Sequence, residues 1–144
     1  MDPDGRRLVS AGIPTAVRNI VLSRAGNKCE RCGALAYAPL HLHHRKFRSR
    51  GGRHTMSNLV ALCLHCHEHV HSHGEEARAT GYAIPSWVEE SEEVPILVPS
   101  PSGSKRWVLF TESVKQEWAP VRTEDAKQRL FDLGITKVPA GGAS

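Results

Sequence analysis

The sequence of 144 residues predicts an α+β fold, and three observations support this prediction. Patterns typical of helices occur at residues 13–26, 64–73 and 123–133. Two short, apolar segments rich in β-forming residues, 93–99 and 106–111, flank a stretch of Pro, Ser and Gly. Four cysteines form two Cys-x-x-Cys pairs, which predicts a metal that staples a small core.

The first predicted helix has start, face and stop signals. Pro14 suits the first turn, where backbone N–H groups have no acceptor within the helix, so that a proline without an N–H loses no hydrogen bond. Val17, Ile20 and Val21 share one face, and Gly26 ends the helix. This segment is therefore predicted to pack one apolar side on the rest of the domain.

The middle of the chain is predicted to be extended, then looped, then helical. Residues 34–42 are expected to be extended, and residues 45–55 to form a polar loop that contains two consecutive glycines. The second helix is predicted from about residue 64 to 73, with Gly74 as its stop.

The C-terminal part is predicted to form a β-hairpin and a helix. Segments 93–99 and 106–111 are expected to pair, and Pro95 places the first of them at a sheet edge. The helix 123–133 has a capping residue, acidic residues in its first turn and Gly134 after it.

Charge and compartment signals limit the possible functions. The first 80 residues hold 12 Lys and Arg against 6 Asp and Glu, whereas the remainder holds 7 against 9. The basic half is the one expected to attract a polyanion. No apolar stretch is long enough for a signal peptide or a membrane span, so an intracellular protein with reduced cysteines is expected.

The four cysteines, Cys29, Cys32, Cys63 and Cys66, predict a structural zinc site. Two Cys-x-x-Cys turns supply four thiolates, which fill a tetrahedral zinc shell with bonds of about 2.3 Å. No open coordination position remains for chemistry. The alternatives are four reduced thiols in the core or a redox pair.

All nine histidines lie within residues 41–73. On a helix, His67 and His71 share one face, and His65, His69 and His73 form a second row about one hundred degrees away. Only the row that faces His43 and His44 can join them in one site. A dense basic run follows that pair directly and is predicted to contact DNA phosphates, with an ordinary solvated loop as the alternative. Its members are Arg45, Lys46, Arg48, Arg50 and Arg53.

Several motifs together resemble those of the HNH endonucleases. They are Cys29-x-x-Cys32-Gly33, Leu42-His43-His44, Gly51-Gly52, and Ser-Asn-Leu-Val-Ala-Leu-Cys-x-x-Cys-His at residues 57–67. The resemblance is to the zinc-containing branch common in bacteria and phages, and it covers about residues 14–75. It implies a ββα-metal (His-Me finger) core stabilised by zinc.

The chain is predicted to have three parts. The first is a flexible N-terminal lead at 1–13, and the second is the nuclease domain with structural zinc that the resemblance implies, at 14–80. Residues 81–144 then form an accessory segment with the hairpin, the last helix and a disordered tail of seven residues.

Carried over position by position, the resemblance implies a role for each candidate residue. His43 is the first ligand of a catalytic metal, at a position where many relatives have Asp. His44 is the general base that activates water, and Asn58 holds the loop backbone so that His44 is oriented. His67 is the second metal ligand. His71 is a third ligand, although many members of this branch lack it.

The implied function is a metal-dependent DNA endonuclease that leaves 5′-phosphate and 3′-hydroxyl ends. Its cofactors are a structural Zn²⁺ and one catalytic Mg²⁺, Mn²⁺, Ni²⁺, Co²⁺ or Zn²⁺. Its partner is DNA, bound mainly through the phosphate backbone, with a phage terminase subunit as a second partner by analogy. The expected location is the bacterial cytoplasm or an infected host cell. The alternatives are a non-catalytic zinc module that binds nucleic acid and an adaptor built on a zinc knuckle.

Overall fold

A computed structural model describes residues 12–137. These residues contain four α-helices and two small antiparallel sheets, which confirms the α+β prediction. Residues 1–11 of the predicted lead and the predicted disordered tail at 138–144 lie outside the described residues. Within residues 12–137, no helix combines the length and the apolar character needed to cross a membrane.

Helix α1 (Thr15–Ala25) begins directly after Pro14, as the sequence predicts. It ends at Gly26, which adopts a left-handed conformation and donates its N–H to carbonyls of the last turn. Val21 is fully buried and packs with Leu59 and Ala61, which belong to a two-stranded sheet. This contact attaches the helix to the strands that carry the candidate site.

A ββα unit forms the centre of the chain. Strand β1 (His41–His44) pairs antiparallel with β2 (Leu59–Leu62), and α2 (Leu64–Ser72) follows after one residue. That residue, Cys63, caps α2 with its sulfur, which accepts the N–H of Cys66. All four residues of β2 are buried. The order of elements agrees with the fold that the HNH resemblance implies.

The residue predicted to stop α2 begins a further helix instead. Helix α3 (Gly74–Ala79) starts where the sequence pattern indicates only an end. His73 adopts a non-helical conformation that separates the two helices. Glu75 and Glu76 lie in the first turn of α3, where carboxylates stabilise the positive end of a helix dipole.

The C-terminal sheet has three strands rather than the predicted two. Strand β3 (Ile96–Pro99) lies at the edge, β4 (Lys105–Phe110) is central, and β5 (Trp118–Val121) was not predicted. Helix α4 (Thr123–Asp132) then follows, with its buried Ala126 and Leu130 packed against this sheet. The predicted hairpin and last helix therefore both form.

One hydrophobic core joins the ββα unit to the C-terminal sheet. Val60 and Leu62 of β2 lie in the same buried cluster as Ile96, Val108 and Phe110. Residues after position 80 consequently support the candidate site through packing as well as through chain connection.

The buried basic residues correct part of the predicted phosphate-binding run. Arg45 is completely buried, and its guanidinium donates to the carbonyl oxygens of Gly81 at 2.7 Å, Ser57 at 2.8 Å and Val94 at 2.6 Å. Lys46 is also buried, and its Nζ donates to a backbone carbonyl at 2.8 Å. The prediction that these two side chains contact DNA is wrong in this conformation, because buried loop carbonyls require their donors.

We predict that Arg45→Met strongly destabilises the fold. The substitution keeps an apolar stem but leaves several buried carbonyls without donors, each at a cost of about 1–3 kcal/mol. The free energy of unfolding of the zinc-loaded protein, measured by denaturant titration, should therefore fall by at least about 3 kcal/mol.

The matched control is Arg50→Met, since Arg50 is exposed. Its effect on the free energy of unfolding should stay within about 0.5 kcal/mol. Equal stability of the two variants would show that the buried guanidinium is dispensable.

Candidate active site

The two Cys-x-x-Cys turns meet at one point. The sulfur atoms of Cys29, Cys32, Cys63 and Cys66 all lie within 4.8 Å of one another, and those of Cys32 and Cys63 are 4.0 Å apart. A tetrahedron of zinc–sulfur bonds of about 2.3 Å has sulfur–sulfur edges of about 3.8 Å. The cluster therefore has the size and donor set of a Cys₄ zinc site.

Hydrogen bonds around Cys29 favour its charged form. The backbone N–H groups of Arg31 and Cys32 point at the sulfur of Cys29. Burial acts to raise the pKa of Cys29, but such N–H donors lower it to about 7. The Arg31 guanidinium also donates to the sulfur of Cys66 at 3.3 Å. A zinc ion with four thiolates carries a net charge of −2, which this arginine partly offsets.

A second cluster brings together histidines from β1 and α2. One ring nitrogen from each of His43, His67 and His71 lies within 4.8 Å of the others. The Nε2 atoms of His67 and His71 are 3.2 Å apart, one helical turn along α2. His43 is buried, His67 is partly exposed and His71 is exposed, so the group opens to solvent on one side. This donor set suits a transition metal.

A backbone carbonyl sets the tautomer of His43. Its Nε2 lies 2.8 Å from the carbonyl oxygen of Tyr82, and because a carbonyl only accepts, Nε2 carries the proton. The lone pair is then on Nδ1, which is the arrangement that an outer hydrogen bond usually gives a metal-binding histidine. Burial lowers the pKa of His43 to about 4, so the ring is neutral at pH 7.

Aromatic side chains pack around the three histidines. Phe47 stacks on His71 with ring centroids 5.5 Å apart and meets His43 edge-on at 5.9 Å. His41 stacks on His67 at 5.2 Å and lies beside the cluster rather than in it. Phe47 therefore packs against one side of the cluster and restrains two of the rings.

Asn58 ties the loop after β1 into a closed shape. Its side-chain oxygen accepts the N–H of Lys46 at 2.8 Å, and its amide donates to the carbonyls of Lys46 at 3.1 Å and Arg53 at 2.9 Å. Within this loop, a Cβ on Gly52 would lie 1.7 Å from the carbonyl oxygen of Lys46, so only glycine fits. Asn58 thus holds both ends of the loop beside His44.

His44 faces a different neighbour from His43. The strand ends at His44, whose Nε2 lies 2.9 Å from Nδ1 of His54. Burial, His54 and the positive charge of Arg48 lower the pKa of His44 to about 4, so it is neutral at pH 7. A neutral, half-buried imidazole at a strand end can accept a proton from water.

Three members of the predicted basic run remain on the surface: Arg48, Arg50 and Arg53. Arg48 donates to the carbonyl of Gly52 at 2.6 Å, and Arg50 lies over the Phe47 ring at 5.3 Å. Arg53 lies 4.0 Å from Glu90 in an exposed pair, which is worth little in water. Of the three, Arg48 lies close enough to His44 for its positive charge to act on that ring.

Two supporting groups were missed from the sequence. The Tyr82 carbonyl belongs to the backbone, which carries no residue-type signal. His54 is one of nine histidines, and only the closed loop places it beside His44. Its position ten residues after His44 offers no helical or strand periodicity that would have indicated the pair.

We predict two separable stages of metal removal. A mild chelator should strip a metal from the three histidines and leave the circular dichroism spectrum unchanged. A strong chelator should also take zinc from the four cysteines and unfold the domain.

Two variants provide the matched control, and the metal content of each is measured by elemental analysis. His43→Ala should retain one zinc per chain, whereas Cys63→Ser should lose it together with the folded spectrum. A folded domain after complete zinc removal would contradict the structural role of the four cysteines.

A known protein family matches the segment of the chain that contains both clusters. Residues 29–73 match the family model for the HNH endonuclease, which spans both Cys-x-x-Cys turns and all the histidines of the cluster. Searches of curated proteins and of solved structures found no match.

Proposed function

We propose that the protein is a metal-dependent DNA endonuclease that hydrolyses phosphodiester bonds, because residues 29–73 match the HNH endonuclease family model. The observation that carries the proposal is the placement of two consecutive histidines. His43 joins His67 and His71 in a metal-type cluster, while His44 follows it at the end of β1 as a neutral ring. A zinc scaffold needs the four cysteines alone and has no use for this second group.

The three histidines are the groups that would hold the catalytic metal. A divalent metal bound there would neutralise phosphate charge and stabilise the leaving oxygen. Three imidazole ligands favour Mn²⁺, Co²⁺, Ni²⁺ or Zn²⁺, whereas Mg²⁺ prefers oxygen ligands and would rely on water and phosphate.

The residues of the chain perform the remaining steps. His44 accepts a proton from water as the O–H bond breaks, and the resulting hydroxide attacks phosphorus. The bond from phosphorus to the 3′ oxygen breaks, which leaves a 5′-phosphate and a 3′-hydroxyl. Asn58 supports this step indirectly, because it holds the loop on which His44 and its neighbours depend. The phosphates of the DNA backbone are bound by the exposed side chains of Arg48, Arg50 and Arg53.

The biological setting is part of the proposal. By analogy with small phage-encoded HNH proteins, we place the protein in a bacterial cytoplasm or an infected host cell, where a terminase subunit is the proposed partner. This step rests on analogy with the family rather than on the site.

We predict that His44→Ala abolishes most DNA cleavage. Loss of a general base typically lowers a rate by about 10²–10⁴-fold. The assay follows nicked and linear products from supercoiled plasmid in Mn²⁺, Ni²⁺ or Mg²⁺. His65→Ala is the matched control, because it removes an exposed histidine of α2 outside the metal-type cluster. Equal cleavage by wild type and His44→Ala would refute the proposed function.

We predict that DNA binding is strongly salt-dependent through the three exposed arginines. Each phosphate contact contributes about −0.9 to the slope of log affinity against log salt concentration. Replacing Arg48, Arg50 and Arg53 together by Ala should make that slope shallower by up to about 3. Fluorescence anisotropy with a labelled duplex measures it.

The matched control for this experiment is Lys127→Ala, which removes an exposed charge on α4. Its salt slope should equal that of wild type. An unchanged slope in the triple variant would contradict the phosphate-binding role of the loop.

A further inference from the structure

We propose that His54 is a positioning residue for His44, and that it fixes the tautomer in which His44 can act as the base. The inference deepens the proposed function and rests on it. His54 belongs neither to the group of three histidines nor to the four cysteines.

The geometry of the pair carries the proposal. Nε2 of His44 and Nδ1 of His54 are 2.9 Å apart, the ring centroids are 5.1 Å apart, and the planes are inclined by 49°. At this distance one nitrogen donates a hydrogen and the other accepts it. Both rings are partly buried, which strengthens the bond relative to one in water.

The backbone that carries His54 is itself restrained. The amide of Asn58 donates to the carbonyl of Arg53, immediately before His54, at 2.9 Å. The N–H of Asn58 donates to the carbonyl of Thr55, immediately after it, at 3.1 Å. The same asparagine thus restrains the chain on both sides of His54, as well as the chain that follows His44.

Only one direction of the hydrogen bond is compatible with base catalysis. If His54 donated from Nδ1, Nε2 of His44 would use its lone pair as the acceptor, and the proton of neutral His44 would sit on Nδ1. No free lone pair would then remain on His44. If Nε2–H of His44 donates instead, Nδ1 of His44 keeps its lone pair for water.

This direction also supports the state that follows proton transfer. When a water proton moves to Nδ1 of His44, the ring becomes an imidazolium, and its Nε2–H still donates to neutral His54. A hydrogen bond from a charged donor is stronger than one between neutral groups, so the interaction strengthens as charge develops. The hydroxide attacks phosphorus, the leaving 3′ oxygen takes a proton from solvent water, and His44 later returns its proton to solvent.

An imidazole differs from a carboxylate in this role. It accepts the hydrogen bond without adding a negative charge beside a phosphate and a metal. The positive charge of Arg48, which acts on His44, therefore remains available to bind a phosphate of the DNA.

Two substitutions of His54 test the inference in the full-length, metal-loaded protein. His54→Leu removes the acceptor, and His54→Asn places a side-chain oxygen close to the position of Nδ1. We expect His54→Leu to lower kcat by about 10–100-fold, the usual effect of losing an orienting partner, with KM for DNA unchanged. His54→Asn should recover most of that loss, and His65→Leu should match wild type.

A purely structural role predicts a different pattern. Loss of packing would lower the melting temperature or the metal content in His54→Leu, and His54→Asn would not restore activity. Wild-type kcat in His54→Leu, or failure of His54→Asn to recover activity, would overturn the inference.

Nitrogen-15 NMR of the histidine rings provides a readout that does not depend on activity. In wild type, neutral His44 should be the Nε2–H tautomer, and His54→Leu should convert it to a mixture. An Nδ1–H tautomer for wild-type His44 would also overturn the inference. If wild type failed to cleave DNA while His44 showed the expected tautomer, the proposed function alone would fail.

Discussion

The meeting of two Cys-x-x-Cys turns is the constraint on which the rest of the structure depends. One turn follows α1 and the other begins α2, so their contact closes the 30 residues between Cys32 and Cys63 into a loop. Helix α2 starts directly after Cys63, which sets the direction in which His67 and His71 project. Without this contact, bringing β1 and α2 together would require the closure of a long loop, at a cost in conformational entropy. The four cysteines, which could hold a structural zinc, thereby determine where the cluster of His43, His67 and His71 forms.

A second set of contacts comes from the part of the chain after residue 80. The Tyr82 carbonyl directs the ring of His43, and Arg45 donates to the carbonyls of Gly81 and Val94 in that segment. The C-terminal sheet adds Ile96 and Phe110 to the core beneath β2. The segment therefore contributes to the geometry of the site, although its residues up to 137 supply no side chain to either ligand group. Its sheet could not be removed without exposing this core.

The features that residue spacing encodes could be predicted from the sequence. Those that depend on backbone groups far away along the chain were missed. The Cys-x-x-Cys pairs indicated the four-sulfur cluster, and the i,i+4 pair His67 and His71 indicated a shared face. The burial of Arg45 could not be foreseen, because a run of charged residues contains no sign that loop carbonyls will surround one of them. Strand β5 was missed because Pro120 lies within it, and α3 because Gly74 is a common helix stop.

We propose that the cysteine cluster places a second metal site beside a histidine base. A crystal soaked in Mn²⁺ and measured by anomalous scattering at the zinc and manganese edges can locate both metals. We expect zinc among the four cysteines and manganese on His43, His67 and His71, with the ring of His44 open to a water next to that metal. Manganese bound elsewhere, or a single metal on the four cysteines at saturating Mn²⁺, would contradict it.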